Sequence, residues 1–159
     1  MKRLFWSITI AIFAIPLFAQ IPVKEYHDQE KLLLSNNPQL AANKKLVYDF
    51  WIKVFQTRDM KLAPQYMAEN YIQHNPNVPT GRKAFMEFFG QFEQVPVKSK
   101  IDDLVNILAE GDMVVLAFKR ELPDPQKTRN TYTTTWFDMF RIENGKIAEH
   151  WDYGTKSNN

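Results

Sequence analysis

The chain has 159 residues, a formal net charge of +2 and no cysteine. This length suits a single domain with a sizeable core, and without cysteine that core must hold the fold without disulfides. A lipid-attachment cysteine is excluded for the same reason. Aromatic residues make up 14% of the chain, which supplies large side chains to fill a core or to line a cavity. The sequence contains no glycine-rich phosphate loop, nucleophile elbow or Walker-type motif.

The N-terminal residues have the layout of a secretory signal peptide. Lys2 and Arg3 precede an uncharged apolar run, Leu4–Ala19, which is short for a membrane span and is interrupted by Pro16. We therefore expect cleavage after Ala19 and a periplasmic or secreted protein, the alternative being an uncleaved N-terminal anchor. Removal of the two cations would leave 18 basic and 18 acidic residues. The mature chain then gives no electrostatic reason to expect nucleic acid or an anionic membrane as a partner.

The following residues, 20–42, are polar and broken by prolines, and we expect an extension ahead of the domain with at most a short helix. Asn43 is a good N-cap residue. It precedes apolar residues at helical spacing, namely Val47, Phe50, Trp51, Val54 and Phe55. This pattern predicts an amphipathic helix that begins at Asn43. Asp59 is positioned to cap a second, shorter helix that ends near Asn70.

A short extended piece is predicted at Tyr71–His74, and it ends at the turn-forming residues Asn75-Pro76-Asn77 and Pro79. A third helix is predicted to follow from Gly81. Four phenylalanines lie on one stripe of this helix: Phe85, Phe88, Phe89 and Phe92. An apolar stripe of this width must pack against a broad surface such as a sheet, and one or two of the rings are candidates to line a pocket.

The C-terminal half changes from helical to alternating periodicity. Four segments rich in β-branched and aromatic residues are separated by turn-forming residues: Lys98–Ala109, Met113–Glu121, Asn130–Arg141 and Lys146–Tyr153. They predict four antiparallel strands in meander order. Helices followed by strands indicate an α+β fold, with the helices packed on one face of a curled sheet.

Three stretches are more specific than this periodicity. They are Asn43-Lys44-Lys45-Leu46-Val47, then Tyr71-Ile72-Gln73-His74-Asn75-Pro76 leading through Pro79-Thr80-Gly81-Arg82 to Phe85, and finally Phe137 through Asp152. In this order they resemble the SnoaL-like branch of the nuclear-transport-factor-2-like superfamily. The resemblance covers residues 43–153, which we take as the domain, followed by a tail at residues 154–159. It implies a cone-shaped α+β barrel, with three N-terminal helices packed on a curved, mainly antiparallel sheet around a deep apolar pocket.

The resemblance also implies a chemistry and an assembly. The best-known members are polyketide cyclases, which close a ring by aldol condensation without metal or organic cofactor and are usually dimeric through the open sheet face. Their acid/base aspartate corresponds to Asp152, through the motif Gly145-Lys146-Ile147 and the following His150-Trp151-Asp152. A histidine of the cyclases in the preceding strand corresponds to Asp138, so this sequence departs from the cyclases at that position.

The turn Glu143-Asn144-Gly145 decides which residues of the last hairpin share a face. If Asn144 and Gly145 form a two-residue type I′ loop, Asp138 opposes Trp151, and Asp138 and Asp152 lie on opposite faces. If Gly145 belongs instead to a three-residue loop with a G1 bulge, Asp138 opposes His150.

We favour the second register because it gathers titratable and aromatic side chains on one face of the sheet. These are Trp136, Asp138, Phe140, Ala148, His150 and Asp152. Phe137 and Trp151 then lie on the other face, where they form an exposed apolar patch unless a second copy covers them. The register therefore predicts a homodimer built on that face.

On this basis we predict Asp152, His150 and Asp138 as catalytic residues. Desolvation among aromatic rings disfavours a charged carboxylate, whereas a neighbouring imidazolium favours it, and such a pair is suited to acid/base work. Each residue has a structural alternative. Asp152 would lie in solvent near the C-terminus, His150 would be a hydrogen-bonded core residue, and Asp138 would pair with a cation across the sheet.

Four further residues are predicted to bind substrate: His74, Tyr71, Trp136 and Phe140. His74 is either a hydrogen-bond donor in the pocket wall or a structural histidine that fixes the adjacent turn. His74, His150 and the two aspartates are a further candidate set for a metal site, but spacing alone does not show the geometry that such a site needs. We therefore predict neither a metal nor another cofactor.

Three functions fit these features. The first is a cofactor-free lyase, isomerase or cyclase that acts on a small, largely apolar carbonyl compound. The second is a module that binds an apolar ligand without chemistry, and the third is an interaction protein of the cell envelope that pairs through its sheet. An enclosed Asp152 with a polar partner would favour the enzyme, neutralised or exposed carboxylates the binding module, and a filled core without a cavity the interaction protein.

Overall fold

The computed structural model describes residues 21–157, so the predicted signal peptide lies outside the described residues. The helices are α1 (Gln29–Leu32), α2 (Pro38–Phe50), α3 (Ala63–Tyr66) and α4 (Arg82–Phe89), with a π-helical turn at Trp51–Phe55 and a 3₁₀ turn at Met60–Leu62. The strands are β1 (Met67–Gln73), β2 (Leu104–Glu110), β3 (Met113–Pro123), β4 (Thr131–Glu143) and β5 (Lys146–Asp152). Within residues 21–157, no helix has the length and apolarity to span a membrane.

The five strands form one open sheet in the order β1-β5-β4-β3-β2. The last four strands pair antiparallel as a meander, and β1 joins the edge by pairing parallel to β5. The predicted α+β fold with a mainly antiparallel sheet is confirmed. The predicted first strand of the meander is six residues too long at its start. Residues 98–103 are irregular there, with bends at 99–100 and a turn at 102–103 that ends at Asp103, whose φ is positive.

The first long helix begins earlier than predicted, at Pro38. Asn37 is its N-cap, because the side-chain oxygen of Asn37 accepts hydrogen bonds from the backbone N–H groups of Gln39 and Leu40. Proline suits the first helical position, since its missing N–H would have no partner there. The prediction of Asn43 as the cap is therefore wrong. Asn43 lies buried inside the helix, where its side-chain amide donates to the Gly111 carbonyl.

The same helix ends in a widened turn that faces the sheet. The N–H of Gln56 donates to the carbonyl of Trp51 at 2.7 Å, a hydrogen bond five residues back along the chain. Such π-helical turns are rare and occur frequently at functional sites. Trp51 packs on Phe118 of β3 with ring centroids 4.7 Å apart, and Phe55 contacts Phe89 of α4 at 5.2 Å. The turn thus carries aromatic rings onto the concave face of the sheet.

The second predicted helix is shorter than expected. Asp59 makes no capping hydrogen bond, and the segment consists of the 3₁₀ turn followed by the single turn of α3. Met67, predicted as helical, is already the first residue of β1. Strand pairing with β5 has overridden the local helical pattern, since Met67 is paired with Ile147 and both are fully buried.

Residues ahead of the predicted domain pack against the sheet. The N–H of Tyr26 donates to the Leu104 carbonyl at 2.7 Å. The buried side chain of Gln29 bonds both the N–H and the carbonyl of Ile101, at 2.9 and 2.7 Å. The segment 21–37 therefore adds hydrogen bonds and buried surface to the β2 side of the molecule.

Candidate functional site

A cavity of about 180 Å³ lies between the helices and the concave face of the sheet. One end is polar and the rest of the wall is mostly aromatic. Its lining residues are Phe50, Trp51, Phe55, Tyr71, Gln73, Asn75, Val78, Phe85, Phe89, Asp138, Phe140, His150 and Asp152. Of the phenylalanine stripe on α4, Phe85 and Phe89 reach this cavity, whereas Phe92 lies beyond the helix and is half exposed.

The register of the last hairpin is neither of the two that were predicted. The loop is the two-residue type, because Glu143 pairs with Lys146, and Asn144 and Gly145 both have positive φ, at 50° and 70°. A shift in the pairing register lies inside β5. Ile142 pairs with Ile147 but Arg141 pairs with Glu149, which leaves Ala148 as an extra residue in a β-bulge.

This bulge places the polar residues of both strands on the concave face. Beyond it Phe140 opposes His150 and Asp138 opposes Asp152. A shift of one residue exchanges the two faces of a strand. The bulge therefore produces the same grouping as the favoured register, although that register placed the extra residue in the turn. Side-chain N and O atoms of Asp138, His150 and Asp152 lie within 4.8 Å of one another.

His150 is held through both nitrogens of its ring. Nδ1 lies 3.0 Å from Oε1 of Gln73, and Nε2 lies 2.9 Å from Oδ1 of Asp138. The Phe140 ring packs on the imidazole with centroids 4.6 Å apart. Asp138 is only 5% exposed and His150 only 7%. Burial raises the pKa of Asp138 above its ordinary value, while the hydrogen bond and charge of His150 oppose that rise.

Asp152 lies beside this pair and is partly exposed. Both of its carboxylate oxygens accept hydrogen bonds from the side-chain amide of Asn75, at 2.9 and 2.8 Å. The Asn75 carboxamide in turn packs directly on Gly154, where an added Cβ would lie 2.6 Å from its atoms. Glycine at 154 thus allows Asn75 to reach the carboxylate.

Tyr71 is a buried phenol in the wall of the cavity. It is 2% exposed, and its oxygen accepts a hydrogen bond from Nε2 of Gln73 at 3.0 Å. Burial raises the pKa of Tyr71 far above its ordinary value, and the nearby carboxylates of Asp152 and Asp138 raise it further. The phenol therefore keeps its proton at every physiological pH and can donate it in a hydrogen bond.

The other predicted substrate-binding residues are more dispersed. His74 lies on the outer face of the sheet, stacked on Trp151 at 4.8 Å with its Nε2 2.7 Å from Glu149. This position fits the structural alternative, because alternate residues of a strand face opposite sides and Tyr71 faces the cavity. Trp136 lines a neighbouring groove, where the Arg120 guanidinium lies 4.6 Å from its ring centroid.

The comparisons with known proteins agree with this architecture. The profile of the SnoaL-like domain family matches residues 49–150. The chain belongs to the SnoaL-like family. No curated protein matches the chain.

Solved structures resemble this SnoaL-like domain at low sequence identity. A proposed SnoaL-like polyketide cyclase from Jannaschia sp. CCS1 has 15% identity and a TM-score of 0.52, covering 76% of this chain and 90% of its own. An LEH-like epoxide hydrolase from M. tuberculosis has 12% identity and a TM-score of 0.51, covering 76% and 83% respectively. At these identities the likeness concerns the fold alone.

The side-chain donor atoms of Asp138, His150 and Asp152 lie close enough to one another for a metal ion to be considered. However, both nitrogens of His150 already bond Gln73 and Asp138, and both oxygens of Asp152 already bond Asn75. His74, part of the metal set that the sequence suggested, faces the other side of the sheet. The donor atoms therefore form a hydrogen-bonded network in this structure.

Two residues of the SnoaL-like domain that line the cavity were missed from the sequence, Gln73 and Asn75. Gln73 follows Tyr71 by two residues in the same strand, so alternation places both side chains on one face. That signal was present in the sequence and would have favoured Gln73 over His74. Asn75 stands in a turn, and its contact with Asp152 spans 77 residues, so no local pattern indicates it.

Proposed function

We propose that this protein is a cofactor-free acid/base enzyme of the aldol, isomerase or lyase type that acts on a small apolar carbonyl compound. The observation that carries the proposal is the convergence of Asp152, Tyr71 and the His150–Asp138 pair at one end of an otherwise aromatic cavity. An apolar wall with a few convergent polar groups is the usual composition of a small-molecule site.

The size of the cavity limits the substrate. A cavity of about 180 Å³ is close to the roughly 150 Å³ that holds benzene in an engineered apolar site. The reacting part of the substrate is therefore about as large as one six-membered ring. Phe50, Phe85 and Phe89 would contact its apolar body, while its polar group would face Tyr71 and the carboxylates.

Asp152 is the proposed base. Its carboxylate takes a proton from the carbon next to the carbonyl, and the electron pair of the broken C–H bond moves onto the carbonyl oxygen. The phenol of Tyr71 donates a hydrogen bond to that oxygen as its negative charge develops. Return of a proton to another carbon gives an isomer, and attack of the same carbon on a second carbonyl gives an aldol product. His150 has no free ring nitrogen, so it positions Asp138 rather than contacting substrate.

A second candidate function is a module that binds an apolar ligand without reaction. It is favoured by the pairing of the carboxylates, since both oxygens of Asp152 accept hydrogen bonds from Asn75 and Asp138 is paired with His150. Paired carboxylates are weaker bases than free ones. The two candidates differ in whether a bound ketone exchanges its hydrogens.

Exchange of carbon-bound hydrogen for deuterium distinguishes the enzyme from the binding module. Cyclohexanone and acetophenone would be incubated with the protein in D₂O, and loss of the proton signal next to the carbonyl would be followed by NMR. The enzyme predicts exchange above the buffer rate, about 100-fold or more reduced in Asp152→Asn. Asp112→Asn, at an exposed turn, is the matched control and should exchange like the wild type. Saturation transfer to the ketones without any exchange would refute the enzyme and favour the binding module.

A further inference from the structure

Gln73 lies at the centre of the polar network, although it is not among the site residues predicted from the sequence. Its side-chain amide contacts three groups: the backbone N–H of Asn75 at 3.0 Å, the His150 Nδ1 at 3.0 Å and the Tyr71 oxygen at 3.0 Å. We infer that Gln73 fixes the tautomer of His150 and thereby keeps one transferable proton in the His150–Asp138 pair. The role of that proton in turnover rests on the proposed function.

The orientation of the Gln73 amide follows from its backbone partner. A backbone N–H can only donate a hydrogen bond, so the atom of Gln73 that faces the N–H of Asn75 must be the oxygen. The other atom, Nε2, is then the donor to the phenol oxygen of Tyr71. The orientation of the Gln73 amide therefore follows from the hydrogen-bond donor and acceptor that face it.

The tautomer of His150 follows from this orientation. The same Gln73 oxygen lies 3.0 Å from Nδ1, and an oxygen without a hydrogen can only accept. Nδ1 must therefore carry a proton. A neutral imidazole carries one proton, so in the neutral state the second nitrogen, Nε2, is an acceptor.

Two acceptor atoms cannot form a hydrogen bond with each other. The 2.9 Å contact between Nε2 of His150 and Oδ1 of Asp138 must therefore hold a second proton, in addition to the one on Nδ1. Either Nε2 carries it, giving an imidazolium beside a carboxylate, or Asp138 carries it, giving a neutral imidazole beside a carboxylic acid. Both forms have the same proton count and no net charge. The pair is therefore a neutral store of one proton, next to the separate carboxylate of Asp152.

Without Gln73, nothing requires Nδ1 of His150 to carry a proton. A neutral His150 could move its single proton to Nε2 and donate it to an ionised Asp138, so the pair would lose one proton and gain one negative charge. The other titratable groups facing the pair in the cavity are Asp152 and Tyr71, and the helical side contributes the apolar Phe50 and Trp51. Two carboxylates in this setting would repel each other without a balancing cation.

In the proposed reaction the stored proton complements the base. Asp152 takes a proton from one carbon of the substrate, and the pair donates its proton to the enolate at another carbon or at oxygen. The pair is left with a neutral imidazole and an ionised Asp138. Water then returns a proton to the pair and removes one from the partly exposed Asp152, so protons balance over one turnover.

Nitrogen NMR of the imidazole rings tests the inference without turnover. The protein has three histidines, and the His74→Gln variant would help to assign their signals after ¹⁵N labelling. In the wild type, Nδ1 of His150 should give the signal of a protonated nitrogen near neutral pH. In Gln73→Leu the neutral ring should shift to the Nε2-protonated tautomer. In Gln73→Glu, which retains an acceptor oxygen, Nδ1 should remain protonated.

A wild-type spectrum with an unprotonated Nδ1 on His150 would overturn the inference, even if the Gln73→Leu variant failed to fold. So would an unchanged tautomer in folded Gln73→Leu. In the exchange assay, Gln73→Leu should lose about 100-fold in rate, and Gln73→Glu should recover part of it. If the tautomer is as inferred but the wild type exchanges no ketone, the proton arrangement stands and the proposed reaction fails. If exchange occurs with the opposite tautomer, the reaction stands and the inference fails.

Discussion

Replacement of Tyr71 by phenylalanine separates its chemical role from its packing role. The ring contacts Phe85 at 5.7 Å and is almost fully buried, and Phe keeps that ring in place. Only the hydroxyl is removed, together with its hydrogen bond from Gln73. Loss of that single bond should lower the free energy of unfolding by about 1 to 2 kcal/mol. For a chain of this length, that change corresponds to a fall in melting temperature of roughly 3 to 6 °C.

The effect on catalysis should be larger than the effect on stability. Removal of one donor to a developing oxyanion lowers kcat by about 100-fold to 1000-fold in characterised enzymes. We therefore expect Tyr71→Phe to lose about 100-fold in the rate of ketone deuteration, while ketone affinity changes little. Calorimetry would measure the change in stability, NMR the rate of deuteration, and a ligand titration the affinity for the ketone.

The chain offers a matched control for this substitution. The hydroxyl of Tyr48 donates to the side chain of Gln29 at 3.1 Å, and Tyr48 does not line the cavity. Tyr48→Phe should therefore lose a similar amount of stability and retain full exchange activity. If Tyr71→Phe exchanges ketones within about threefold of Tyr48→Phe, the phenol does not stabilise the transition state, since loss of an oxyanion donor should lower the rate far more.

Three further predictions concern pH, assembly and processing. The pKa of Glu149 is lowered by its hydrogen bonds to Arg141 and His74. Its stabilising contribution should therefore be present above the ordinary value of 4.5 and be lost as pH falls through the lowered pKa. Denaturation of wild type and Glu149→Gln should show a larger stability difference at pH 6 than at about pH 3. Phe137 is 52% exposed on the outer sheet face, and we expect light scattering to show a homodimer that Phe137→Lys dissociates, whereas a monomeric wild type at high concentration would contradict it. Finally, soluble protein exported by the native host should begin at Gln20, and retention of Met1 would disprove signal cleavage.

Much of the sheet could be predicted from the sequence because its strands alternate and its turns contain strong signals. The two-residue loop at Asn144-Gly145 is one of the two alternatives that the sequence allows, since both residues tolerate positive φ, although the favoured register had a three-residue loop. The start of α2 was also visible at Asn37-Pro38, where a capping residue precedes a proline. The predicted cap, Asn43, lies inside the helix.

The candidate site could be predicted only in part from the sequence. The face shared by Asp138, His150 and Asp152 was predicted, but the bulge that creates it was placed in the turn. Ala148 is small and buried, so the alternation of β5 gives no local sign of an extra residue. The pairing of β1 with β5 joins residues about 77 positions apart, and it alone brings Gln73 beside His150. Contacts of such long range depend on the assembled fold rather than on any local pattern.

The bulge at Ala148 also decides which face of the sheet carries His150 and Asp152. If Ala148 paired with Arg141 in a regular ladder instead, every residue beyond it would exchange faces with its neighbour. The effect resembles a frame shift confined to one strand, because His150 and Asp152 would keep their neighbours in sequence and yet face outward. Transfer of a site residue between relatives of this fold therefore requires a comparison of the residue count and the bulge together, as well as the same acid.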